Sequence, residues 1–112
     1  MNNTEVVNST SKYIVKSTGK ESESNEILVD AEKLTEGTDG SLVSLIECYY
    51  LIEGTGTLTI STTSESADLT LTGKGKYGLR PEQLKFGNDK IFKLTTDANV
   101  KSYLLVTEFR RN

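Results

Sequence analysis

Apolar and polar residues alternate with a period of two along much of the chain. Leu58 and Ile60 alternate with Thr and Ser, Leu69 and Leu71 alternate with Asp and Thr, and a long stretch of this kind covers residues 100–109. This period is typical of half-buried β-strands. Turns rich in Gly, Asn, Asp, Ser and Thr separate the strands at intervals of about ten residues, as in all-β sandwiches and barrels. The pattern therefore predicts an all-β fold of antiparallel strands, arranged as a sandwich or jelly-roll barrel.

Two short stretches carry helical signals instead. Pro81 opens PEQLKF, and proline is favoured at the first position of a helix. AEKLTEG, at residues 31–37, adds a second candidate. Each stretch predicts no more than one helical turn.

The first quarter of the chain is polar. Ser, Thr, Asn, Lys and Glu dominate residues 1–25, and only two valines and the stretch YIV, which begins at Tyr13, interrupt them. Much of such a segment would be mobile in an isolated chain. We therefore predict a polar N-terminal arm over residues 1–25 and a β-barrel domain over residues 26–112, with a partner subunit as the candidate that would hold the arm in place.

The stretch from Leu42 to Ile52 departs from the alternation, because both of its faces are apolar or aromatic. A strand of this kind is buried on both sides. A single core covers only one face, so the other must meet an extra sheet, the arm or another subunit, and we favour a subunit. The predicted interface residues are Leu42, Ile46, Tyr50 and Ile52. The sequence thus predicts a homo-oligomer.

Composition excludes several classes of partner. The chain has 112 residues, enough for one domain, and carries a net charge of -3 with a pI near 5.0, so it has no basic surplus for nucleic acid. The longest apolar stretch, Cys48 to Ile52, is far shorter than the roughly 20 residues that span a bilayer. The first twelve residues lack the basic start and apolar run of a signal peptide. We therefore expect a protein that is not secreted and that contacts neither nucleic acid nor membrane, with a cytoplasmic location.

Cysteine and histidine usage restricts the possible chemistry further. Cys48 is the single cysteine, so no intramolecular disulfide forms, and we interpret it as a small buried hydrophobic residue. The chain contains no histidine. A nucleophilic cysteine usually needs a cationic neighbour that lowers its pKa, and nothing local supplies one.

The segment from Gly40 to Val106 resembles the cupin superfamily, whose members are small jelly-roll β-barrels. Glu47 and Gly54, in ECYYLIEG, match the second half of that family's first motif. Gly75 and Pro81, in GKGKYGLRP, match the opening of its second motif. The resemblance implies a cupin-like β-sandwich barrel with the frame of a metal-binding hairpin.

The histidine ligands of that metal site are missing. The histidine positions of the first motif fall on Ser41 and Val43, or on Gly40 and Leu42 with the longer spacing; in the second motif a Gly becomes Gln83 and the last histidine becomes Phe86 or Phe92. Transition metals need three or four converging donors and favour nitrogen or sulfur. We therefore predict no metal, no cofactor and no enzymatic activity, because histidine-dependent catalysis is lost with the same residues.

A polar site at the barrel mouth would still be open to carboxylate, Tyr or Lys chemistry. Glu53 and Asp68 belong to the residues near this presumed mouth, and the candidates for binding a ligand there are Glu47, Tyr49, Tyr77 and Arg80. A structural role for Glu47 is favoured, in which the carboxylate pairs with Arg80 or a tyrosine hydroxyl.

Two functions from different classes follow. The first is a non-catalytic structural or assembly subunit that forms homo-oligomers and joins a larger protein assembly, in the manner of the small accessory, decoration-type proteins of viral particles, in which case it would be located in a virion. The second is a metal-free cupin that binds a small polar ligand such as a sugar in the barrel mouth. We favour the first, because the missing ligands, the Ser- and Thr-rich exterior and the polar arm fit a structural role.

Overall fold

Strands make up most of the protein. The computed structural model describes residues 1–34, 37–38, 40–62, 69–78 and 88–111, and within these ranges it contains ten strands. They are β1 (Asn2–Asn8), β2 (Lys12–Gly19), β3 (Glu26–Asp30), β4 (Val43–Gly54), β5 (Leu58–Thr62), β6 (Leu69–Leu71), β7 (Lys74–Tyr77), β8 (Asn88–Asp89), β9 (Ile91–Thr96) and β10 (Val100–Arg111).

The strands form two antiparallel sheets that pack face to face. The larger sheet has six strands in the order β1-β2-β10-β4-β7, and β8 also pairs with β4. The smaller sheet has four strands in the order β3-β9-β5-β6. The predicted all-β fold of antiparallel strands, arranged as a sandwich, is therefore confirmed.

The core lies between the sheets and is filled by the inward members of each alternating pattern. Leu58 and Ile60 of β5 are fully buried, as the period of two predicts. Phe92 of β9 and Phe109 of β10 contact each other across the core with ring centroids 5.1 Å apart. These two rings are among the largest fully buried side chains, so they link the two sheets at the centre of the sandwich.

A β-bulge in β4 changes which of its residues face the core. Leu45 pairs with Phe109 and Glu47 pairs with Glu108, so Ile46 is an extra residue in β4. Val43 and Leu45 face inward before the bulge; after it the buried positions are Cys48 and Ile52. Apolar residues occur at both odd and even positions of β4 partly because the bulge changes which positions face the core. The sequence pattern alone gives no sign of this change.

The structure differs from the predicted arm at residues 1–25. This segment supplies β1 and β2, and β2 pairs along its whole length with β10. Every second residue of β2, namely Tyr13, Val15 and Ser17, faces the core and is buried. The residues between them face outward and are polar or half-buried. A strand with only one face toward the core needs only a few inward apolar side chains, which is why the composition of β2 is that of a polar segment.

The predicted helical turn at residues 31–37 is present in its first part as a 3-10 helix, Ala31–Lys33. Asp30 precedes it, and its Oδ1 accepts a hydrogen bond of 3.2 Å from the backbone N–H of Glu32. The second predicted turn, at residues 81–86, lies outside the described residues. Within the described ranges, no helix is long and apolar enough to cross a membrane.

Asp97 ties the loop between β9 and β10 to the start of β5. Its carboxylate accepts hydrogen bonds from the backbone N–H of Asn99 at 2.9 Å and from the N–H and hydroxyl of Thr57 at 3.0 and 3.1 Å. The backbone donors at Asn99 and Thr57 hold the pKa of the Asp97 carboxyl below its usual range. The ionised carboxylate therefore stabilises the folded state.

Leu58→Ala is expected to lower the free energy of unfolding by about 2 to 5 kcal/mol, because it leaves a cavity at a fully buried position. Thr59→Ala changes the neighbouring residue, which is only half-buried and faces outward, and it should cost little. Urea unfolding followed by circular dichroism measures both. Equal losses would contradict the inward assignment of Leu58.

Asp97→Asn should reduce stability at neutral pH by an amount that shrinks in acid. The folded-state pKa of Asp97 lies below its unfolded value, so its contribution is fully present above that unfolded value and is lost as the pH falls through the folded pKa. Thermal unfolding of wild type and variant between pH 7 and pH 2 measures the difference. Glu21→Gln removes the same charge at an exposed position and serves as the control; a constant difference across this range would contradict the role of the carboxylate.

Candidate functional site on the outer face of the larger sheet

Among the described residues predicted to bind a ligand at the barrel mouth, Glu47 and Tyr49 lie together and Tyr77 lies on the opposite face of the sheet. Glu47 and Tyr49 lie on the outer face of the larger sheet, where the Lys76 ammonium is 3.4 Å from the Glu47 carboxylate and 4.6 Å from the centroid of the Tyr49 ring. Tyr77 is buried in the core on the opposite face, beside Cys48. Arg80 lies outside the described residues, as does Asp68, whereas Glu53 is exposed on the outer face.

Glu47 forms an ion pair with Lys76, a partner that the sequence analysis did not name when it proposed Arg80 or a tyrosine hydroxyl. Hydrogen bonds to Tyr49 and then to Glu47 raise the pKa of the Lys76 ammonium, so it stays charged between them. The contact over the Tyr49 ring is a cation–π interaction. The three side chains form a small polar cluster that fixes Tyr49 on the sheet surface.

Cys48 takes the inward position next to Glu47. Burial raises the pKa of its thiol to about 12, so the thiolate is not available at neutral pH. The interpretation of Cys48 as a small buried hydrophobic residue is confirmed by its complete burial. In the ranges that the structure describes, no three His, Cys, Asp or Glu side chains lie close enough to hold a metal ion.

The four predicted interface residues do not share one exposed face, which corrects that part of the prediction. Leu42 is partly exposed just before β4, and Ile46 is the half-buried extra residue of the bulge. Tyr50 packs against the edge of the core, and Ile52 is buried within it. The physical reason is the bulge, because it turns the residues after Ile46 to the opposite face.

The exposed apolar surface of β4 is formed by the residues that alternate with Tyr50 and Ile52, namely Tyr49 and Leu51. Tyr49 and Leu51 of β4 lie beside Val106 and Leu104 of β10, as their register shows: Val106 pairs with Tyr49 and Leu104 pairs with Leu51. Tyr49 is 50% exposed and Leu51 is 43% exposed. We call these four residues the outer patch; they line most of a shallow depression of about 270 Å³.

The outer face of the smaller sheet is different. Thr59 of β5 pairs with Thr70 of β6 on one side and with Thr95 of β9 on the other. These hydroxyl side chains make the middle of this face polar, and the exposed Ile27 lies apart from them on β3 at the edge of the sheet. The outer patch is therefore a local property of the larger sheet and does not reflect a generally apolar exterior.

Sequence reasoning found β4 and the strand at residues 100–109, but it did not predict that the two pair. The signal was present in residues 103–106, YLLV, where apolar side chains occupy both parities just as they do in β4. Two adjacent strands with apolar residues on both faces predict an apolar outer surface, provided that they pair with each other. That pairing is a long-range property that the local pattern does not contain.

Comparisons with known proteins give one match. No protein-family model matches this chain, and no curated protein matches it. Among solved structures, the chain is similar to a cupin domain from Bordetella pertussis Tohama I, with 12% sequence identity and a TM-score of 0.44 over 99% of this chain and 92% of that one. A likeness this distant transfers neither residues nor function.

Added Zn²⁺ or Ni²⁺ at micromolar concentration should leave the melting temperature unchanged, because Glu47 faces outward and is paired with Lys76. Differential scanning fluorimetry measures the shift, and a Glu47→Gln variant provides the matched control. A rise of several degrees in wild type that Glu47→Gln abolishes would show that Glu47 does bind metal.

Proposed function

We propose that this protein is a non-catalytic assembly subunit that associates with copies of itself through the outer patch. The observation that carries the proposal is the cluster of Tyr49, Leu51, Leu104 and Val106, which places apolar side chains next to each other on the outer face of two paired strands. Contiguous exposed apolar surface on a soluble domain marks interaction sites. Burying it against a second copy would remove it from water, which is favourable in proportion to its apolar area.

The outer patch is also preorganised for a contact. Strand pairing fixes the backbones of all four residues, and Lys76 holds the Tyr49 ring through the cation–π contact. Rigid aromatic anchors lose little conformational entropy when they bind. This rigidity supports a stable interface in preference to a transient one whose residues adapt to the partner.

The absence of catalysis is part of the proposal. It is supported by the lack of histidine in the chain and by the burial of Cys48, whose thiol is protonated at neutral pH. The narrower role, an accessory protein of a viral particle in a larger assembly, rests on similarity of architecture and stays a prediction.

The alternative, a metal-free cupin that binds a sugar at the barrel mouth, has less support. Of its proposed ligand residues, Glu47 and Tyr49 face outward whereas Tyr77 faces the core. A ligand could not contact all three at once, so the proposed site is not formed by these residues.

Leu51→Asp places a charge at the centre of the outer patch and should convert an oligomer to monomers, because a buried unpaired charge is costly. Size-exclusion chromatography with light scattering, run over a range of concentrations, measures the oligomeric state. Thr59→Asp is the matched control on the outer face of the smaller sheet and should leave the oligomer intact. A wild-type protein that is monomeric at high micromolar concentration would overturn the proposal.

A further inference from the structure

Charged residues surround the outer patch in a regular order. At its two ends along the strands lie acidic residues, Glu53 of β4 beyond Leu51 and Glu108 of β10 at the opposite end. At its two sides across the sheet lie basic residues, Lys16 of β2 on one side and Lys74 of β7 on the other. The sign of the charge therefore alternates from one border of the patch to the next.

These borders follow from the pairing of the strands. Val106 pairs with Lys16, and Leu51 pairs with Lys74, so both lysines stand beside patch residues on the same face of the sheet. Glu53 and Glu108 lie two residues from patch residues on their own strands and share their face for that reason.

The four border charges form no ion pair among the described residues, and the Glu53 carboxylate accepts a hydrogen bond of 3.4 Å from the uncharged Ser102 hydroxyl. Among the described residues, the ion pairs join Met1 to Glu23, Lys76 to Glu47 and Lys90 to Glu32, and none includes a border residue. Glu47 lies beside Glu108, but its charge is balanced by Lys76. The net pattern at the border is thus acidic ends and basic sides.

This charge pattern is complementary to that of a second copy whose strands are rotated by about 90°. Neighbouring strands are about 5 Å apart and residues on one face of a strand repeat about every 7 Å, so the two dimensions of the four-residue patch differ by only about 2 Å. If two copies face each other with aligned strands, basic side meets basic side and acidic end meets acidic end. If their strands cross at about 90°, as in orthogonal sheet packing, each basic side meets an acidic end.

We infer that two copies of this chain form a symmetric dimer in which the larger sheets pack face to face with their strands crossed at about 90°. The inference rests on the proposed function and adds the orientation of the partner. The two-fold axis runs along a diagonal of the outer patch, and on either diagonal Lys16 and Lys74 of one copy face Glu53 and Glu108 of the other. The apolar side chains form the centre, and the four charge pairs form its rim.

Charge reversal on one border at a time tests the orientation. The basic-side variant, Lys16→Glu with Lys74→Glu, and the acidic-end variant, Glu53→Lys with Glu108→Lys, each put like charges in contact on all four sides of their own dimer. The dimer dissociation constant of each variant alone should rise by at least about tenfold, since four rim pairs are reversed at once. An equimolar mixture should form mixed dimers at close to wild-type affinity, because every facing pair is again of opposite sign.

Sedimentation velocity measures the dissociation constants, and native mass spectrometry with one variant labelled with ¹⁵N identifies the mixed dimers. Lys33→Glu with Lys93→Glu reverses two lysines away from the outer patch and should leave the wild-type affinity unchanged. Circular dichroism of each variant confirms that it is folded.

The outcomes separate the two levels of the proposal. In an aligned dimer like charges already face each other, so each variant alone would keep the wild-type dissociation constant and the mixture would associate more tightly than wild type. A wild-type dimer that Leu51→Asp dissociates and that gives these two results overturns the crossed orientation and leaves the outer patch as the interface. A wild-type protein that is monomeric overturns the proposed function and the orientation with it.

Discussion

The extra residue in β4 determines the rest of the structure. Between Leu45 and Cys48, both inward, lie two residues where uninterrupted alternation allows one, and Ile46 is the one added. Gly78 accommodates this bulge. It adopts a φ of +97°, and a Cβ at this position would collide with the carbonyl oxygen of Ile46. The bulge in β4 therefore requires a residue without a Cβ at position 78, directly after β7.

The bulge separates what the sequence predicts well from what it does not. Leu58 and Ile60 were assigned correctly because β5 is regular, and a period of two alone decides their direction. The four residues predicted to form an interface were misplaced because the pattern of β4 has no local sign of a bulge. A shift of one residue exchanges the two faces, so a correct strand with an incorrect register gives an incorrect surface.

Polar composition misled the prediction in a related way at the N-terminal segment. Three inward residues, Tyr13, Val15 and Ser17, are too few to make the average composition of this segment apolar. The strand β2 that contains them nevertheless pairs with β10 along its full length. Asn3 of β1 then accepts a hydrogen bond of 2.6 Å from the buried Ser17 hydroxyl, which satisfies that polar group. A strand of this kind can be identified from the strands with which it pairs, whereas its own composition gives little indication that it is a strand.

The same register change decides which face of the larger sheet receives the residues of β4 that follow Leu45. With uninterrupted alternation, Glu47, Tyr49 and Leu51 would follow Leu45 on the inner face. The bulge instead turns all three outward and gives the interior to Cys48 and Ile52, which need no polar partner. Glu47 then finds Lys76 on the surface, Lys76 orders Tyr49, and Tyr49 joins Leu51 beside β10. Through one added residue, the strand thus presents aromatic and aliphatic side chains on the outer face of the larger sheet.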